Sequence, residues 1–157
     1  MPPRPKHLKK KRYVGRFPRI SKKNHEITSD PDPYYNCIAF AVDITNRKYW
    51  PLASPDYYWP DEVPNLEKLD AFVRLFETFG YARVADGTDD RFVEGMEKVA
   101  IFATENGTPK HAAKLIGPDL WTSKLGDDYD IEHERDAVSG GDYGKIAVYM
   151  QRKKNTP

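Results

Sequence analysis

At 157 residues the chain is long enough for one domain with a real core, and 13% Phe, Tyr and Trp make that core rich in rings. Apolar runs are only a few residues long, no apolar stretch follows the basic N-terminus, and a lone cysteine allows no intrachain disulfide; these features argue against a membrane span or a secretory leader and fit a reducing, cytoplasmic setting. The net charge of +1 conceals an asymmetry: residues 1–23 hold ten Lys or Arg and no acid, which leaves fifteen bases against twenty-four acids, about −9, in the remainder.

Taken in chain order, residues 1–30 are Pro- and Lys-rich and read as a basic, flexible arm ahead of a single domain at 31–152 and a short tail at 153–157. Lys9, Lys10, Lys11 and Arg12 are its densest part and suit contact with nucleic acid or another anionic partner. The plainer readings are a solvated tail, or a segment that folds back on the acidic body.

Asp30-Pro-Asp-Pro-Tyr-Tyr-Asn36-Cys37-Ile-Ala-Phe-Ala-Val42 follows. Pro33 favours an extended entry, Asn36 is a strong helix N-cap, and the pattern predicts a short helix from about Asn36 to Thr45. Cys37 then lies in the first turn, where the helix dipole and free backbone N–H groups favour a thiolate. Residues 46–64 read as an aromatic loop, in which Trp59 and its neighbours either line a substrate groove or form a satellite core. Leu66 to Phe79 have helical spacing, with Asn65 as cap and Gly80 as stop.

Strands follow: Lys98–Ala103, His111–Ile116 and Leu120–Leu125, with turns at Glu105-Asn-Gly107 and Gly117-Pro-Asp119, then a last strand at Lys145–Gln151. Asp130–Val138 reads as a short acidic helix stopped by Gly140-Gly141. Helices first and an antiparallel meander afterwards predict an α+β fold.

A cysteine nucleophile needs a base within reach and a third group to orient that base. Of the four histidines only His111 begins a central strand. Ser123 lies near it on the next strand in one register, with Asp119, Asp130 and Glu132 as carboxylate alternatives. The Cys37 N–H is a natural oxyanion donor, with Tyr35 or Asn36 as a second, and Lys124 could hold an anionic group. One cysteine and scattered histidines make no metal site, and no motif calls for a cofactor.

Helix-borne Cys37, strand-borne His111 and a polar residue on the next strand resemble the papain-like superfamily, in particular its NlpC-type and CHAP-type amidase branches. Tyr35-Asn-Cys-Ile-Ala-Phe-Ala41, Thr108-Pro-Lys-His-Ala-Ala113, Trp121-Thr-Ser-Lys-Leu-Gly126 and Asp130-Ile-Glu-His133 resemble, more closely, a bacterial family of small papain-like proteins. The resemblance spans roughly residues 34–152. It implies a papain-like fold, a Cys-bearing N-terminal helix packed on an antiparallel sheet. It also implies a thiol hydrolase or acyl-transferase acting on a protein or peptide-like amide, with Cys37, His111 and Ser123 as its catalytic set. Amidases of the NlpC type usually place His, Asn, Gln or an acid where Ser123 stands. The alternative is a catalytically silent binding module that takes nucleic acid or an acidic partner through its basic arm.

Overall fold

The computed structural model describes residues 3–13, 15–52 and 55–154. Its elements are α1 (Lys10–Tyr13), β1 (His25–Ser29), α2 (Cys37–Ala41), β2 (Lys48–Tyr49), β3 (Tyr57–Tyr58), α3 (Leu69–Glu77), β4 (Ala82–Arg83), β5 (Met96–Ala103), β6 (Pro109–Gly117), β7 (Leu120–Lys124), β8 (Asp130–His133) and β9 (Lys145–Lys153). One seven-stranded sheet in the order β1-β8-β7-β6-β5-β9-β4, antiparallel in every pair, dominates the molecule. The helices run only four, five and nine residues. The expectation of a papain-like α+β fold is therefore corrected: this is a β-rich domain built on one large sheet, with a two-stranded parallel β2–β3 ribbon and short helical pieces beside it. Among the described residues no helix is long and apolar enough to cross a membrane.

The expected strands form because their apolar residues alternate and Gly-containing turns close them. Gly107, at φ 83°, occupies the left-handed position that joins β5 to β6, where any side chain is strained. The expected acidic helix at 130–138 is instead β8 followed by turns. Ile131 and His133, two apart, both point into the core, and β8 supplies hydrogen-bond partners to β7 and β1 at once. A helix there would leave both neighbouring strands with an open edge.

Alternation divides the side chains of the central strands between two cores. Val99, Ile101, Ala112, Val148 and Met150 pack with Cys37 and Ile38 of α2 and with Phe72 and Phe76 of α3. The aromatic loop closes this side. Trp50 and Trp59 lie against Phe72 at centroid distances of 5.0 and 5.3 Å, and the Trp59 Nε1–H donates to the Pro64 carbonyl at 3.0 Å. Trp59 is thus part of a satellite core.

Ala100, Phe102, Ala113, Leu115, Trp121 and Ile131 fill the opposite face, together with Leu8, Tyr13, Phe17, Ile20, Val138 and Tyr143. The segment expected as a flexible arm is therefore a cover for half of the sheet. Its apolar residues fall three to five apart between the lysines and are buried, and the Ile27 N–H donates to the Lys6 carbonyl at 2.8 Å, tying the segment along the β1 edge. Of the readings of this segment, the one that folds it back on the body describes its packing.

Candidate functional site

Asn36 caps α2 as its residue type predicts, its Oδ1 accepting from the Ala39 N–H at 3.3 Å. The same side chain also accepts from the Tyr49 N–H at 3.1 Å and donates to the Tyr49 carbonyl at 2.8 Å, so it is committed to holding the aromatic loop against the start of α2. Cys37 opens a helix of five residues and is only 6% exposed. Burial pushes its thiol up to about 11, against the N–H groups of Ala112, Ile38 and Cys37 itself and the nearby Lys124, which pull the other way. The thiolate that the helix N-terminus promised is outweighed by loss of water.

His111 does not join it. Ala112 packs in the core of α2, and His111, one residue earlier on β6, faces the other side with Phe102, its cross-strand partner. There its ring stacks on Tyr143 at 3.9 Å with 4° between the planes and meets Phe102 edge-on at 5.3 Å. Neither Nδ1 nor Nε2 has a hydrogen-bond partner among the described residues, Cys37 included, and burial holds the ring neutral well below the ordinary histidine range. Ser123 shares that second face but bonds to a different histidine: its hydroxyl donates to His133 Nε2 at 2.8 Å, while His133 Nδ1–H donates to the Glu134 carbonyl at 2.7 Å. The expected set of Cys37, His111 and Ser123 is split by the sheet, with the thiol on one side and both partners on the other.

The structure does bring Tyr35 and Lys124 to the Cys37 side, where internal bonds engage both. The Tyr35 hydroxyl and the Ser29 hydroxyl donate to Asp130 Oδ2 at 2.6 and 2.5 Å, and Lys124 Nζ lies 5.0 Å over the Tyr35 ring and donates to the Asp128 carbonyl. Asp130, offered as a carboxylate alternative, is thus a buried acceptor on β8; Glu132 lies on β8 opposite Thr122, and Asp119 lies in the turn between β6 and β7, where it accepts from the Arg135 N–H. Among the described residues, the best-formed surface cavities, of about 320 to 680 Å³, lie elsewhere and have none of Cys37, His111 and Ser123 in their walls.

A different concentration of chemistry lies over the N-terminal segment. Leu8, Tyr13, Phe17 and Ile20 pin it, so Lys6, Lys9, Lys10, Lys11, Arg12, Lys22 and Lys23 are left exposed on a fixed backbone. Arg12 and Arg16 pair with Asp128 and Asp142, each at 3.1 Å. Arg4, Lys6, Lys9, Lys10, Lys11, Arg19, Lys22 and Lys23 have no carboxylate within ion-pair distance among the described residues. Lys9 to Arg12 were legible as basic; that this surface is anchored was not, although the apolar residues spaced among the lysines were its signal.

Fold and site together define a β-rich, sheet-centred domain with a sequestered thiol and an anchored basic face. The chain belongs to the family described as Domain of unknown function (DUF7689), whose model matches residues 26–151. No curated protein and no solved structure matches it. The basic face precedes the matched residues, so it is a feature of this chain to be read on its own chemistry.

Proposed function

We propose that the domain is a binding module for nucleic acid, working through the basic face of residues 4–23. The observation that carries this reading is the set of eight basic side chains that, among the described residues, have no carboxylate partner, on a segment held to the sheet by Leu8, Tyr13, Phe17 and Ile20. The body carries a large acidic excess, and its best-engaged acids are paired within it: Glu97 with Lys114 and Arg152, Asp89 with Arg91 and Lys98, Asp90 with Arg135. Lysines that stay free beside so many acids, on a backbone whose ordering cost is already met by folding, suit a repeating line of phosphates. The acidic remainder would repel the strand from every other side and so orient it. The thiol-hydrolase reading finds no support in a thiol pushed to about 11 and a histidine on the opposite face.

Fluorescence anisotropy with a labelled single-stranded oligonucleotide tests this. Affinity is expected to fall steeply between about 50 and 200 mM salt, and Lys9→Gln, Lys10→Gln and Lys11→Gln together to lower the log–log slope by roughly 2–3. Binding without a salt slope, a slope unchanged in the triple variant, or equal binding of an acidic peptide would overturn the reading.

A further inference from the structure

Within the basic face lies a cavity of about 610 Å³, of the size that small-molecule sites occupy. Lys6, Lys9, Lys10 and Lys22 form its walls, Leu8 and Ile20 its apolar floor, and no Asp or Glu lines it. At one end the half-buried His7 ring meets His25 edge-on, with centroids 5.3 Å apart and planes at 71°. His25 is fixed by two bonds: its Nδ1–H donates to the Ser21 carbonyl at 2.5 Å, and its Nε2 accepts from the Leu8 N–H at 2.9 Å. Both ring nitrogens are therefore spent on backbone, and His25 presents only ring surface. Those two bonds also tie the 6–10 stretch to the 20–22 turn, so the cavity is built by the fold. The smaller adjoining cavity shares Lys6, His7, Lys22 and His25 and adds Glu26 and Glu132, acceptors suited to an amino group.

A ligand for this site needs negative charge at the rim and a flat apolar body below it. We propose that the pocket seats one phosphorylated nucleotide, its base over Leu8 and Ile20 beside His7, and its phosphate on Lys6, Lys9, Lys10 and Lys22. The inference rests on the nucleic-acid reading and adds a place where a single unit is gripped; the remaining lysines hold the backbone on either side. Inorganic phosphate can satisfy the lysines alone, and a nucleoside the floor alone, so only the joined ligand uses the whole site.

Calorimetric titration of the full chain with 5′-AMP, adenosine and inorganic phosphate tests it. AMP is expected to bind at least about tenfold more tightly than either fragment. Lys6→Gln with Lys22→Gln should weaken AMP by about tenfold, while Lys110→Gln, an exposed lysine on β6, should change it less than about twofold. Because Lys6 and Lys22 are exposed, neither change threatens the fold. A short oligonucleotide that displaces AMP identifies the strand as the source of the unit; absence of displacement assigns the pocket to free nucleotide. AMP binding no tighter than phosphate, or insensitive to the double substitution, overturns the pocket. If that happens while the oligonucleotide keeps its salt slope, the nucleic-acid reading survives; if the oligonucleotide also fails to bind, both fall.

Discussion

Cys37 illustrates how two effects at one residue are ranked by magnitude. A helix terminus stabilises a nearby anion by about 0.3–1 kcal/mol, whereas burying a thiolate without a cationic partner in contact costs several times that. The thiol is accordingly pushed up to about 11. Alkylation of the folded protein by iodoacetamide at neutral pH is expected to be much slower than that of the unfolded chain, whose thiol titrates at ~8.5, and to be unaffected by His111→Ala. Fast alkylation that depends on His111 would restore the catalytic pair.

The histidines of the second face make stability depend on pH with a definite sign. Burial lowers His133 to about 4, opposed by the Glu134 carbonyl and Asp119 and aided by His25; it lowers His25 and His111 as well. A histidine whose folded value lies below its unfolded value of ~6.5 leaves the unfolded chain holding more protons between the two, so stability is full above 6.5 and declines as the pH falls. For His133 that window runs from ~6.5 down to about 4, with a total on the order of 3 kcal/mol. Thermal midpoints measured across it should fall with acid, and His133→Gln, which keeps an acceptor for Ser123, should flatten the decline. A flat profile in the parent protein would contradict the buried, neutral assignment.

At the scale of elements, the loop between β8 and β9 depends on an absence of side chain. A Cβ at Gly141 would lie 2.1 Å from the Arg16 carbonyl oxygen and 2.8 Å from Pro18 Cδ, backbone and ring that cannot swing aside. Gly141→Ala is expected to cost roughly 1–3 kcal/mol in urea unfolding, while Gly15→Ala, with nothing within 4 Å, stays near neutral. Equal effects would mean that the loop and the N-terminal segment are not packed together. The β5, β6, β7 and β9 strands were readable because alternation and turn glycines are local signals. β8 was not, because Asp130-Ile-Glu-His133 gains its structure from pairing with β7 and β1. α3 begins at Leu69 rather than near Asn65, whose side chain instead accepts from the Leu52 N–H at 2.7 Å. Local cap chemistry lost there to a contact thirteen residues away.

The whole molecule is a sheet that needs covers on both faces. α2, α3 and the aromatic loop provide one, and the N-terminal segment with the 137–143 loop provides the other. Phe17, fully buried between Tyr13 and Tyr143, should cost about 3–5 kcal/mol when replaced by alanine, and removal of residues 1–23 should abolish cooperative unfolding altogether. A truncated chain that unfolds with the parent's midpoint would return the segment to the status of a tail. It follows that the basic face is best probed by neutralising single lysines, since deleting the segment removes a core along with its charge.

The sequence by itself determined what adjacent residues settle among themselves: the Asn36 cap, the alternating strands, the glycine turns, one thiol and a dense run of lysines. Tertiary structure alone decided which of these meet. Side chains on a strand change face at every residue, so Ala112 touches the helix of Cys37 while His111, its neighbour, stacks on Tyr143 across the sheet. The same distant packing converted a lysine-rich stretch into a fixed surface, because Leu8, Tyr13, Phe17 and Ile20 found an uncovered face of the sheet to bury against.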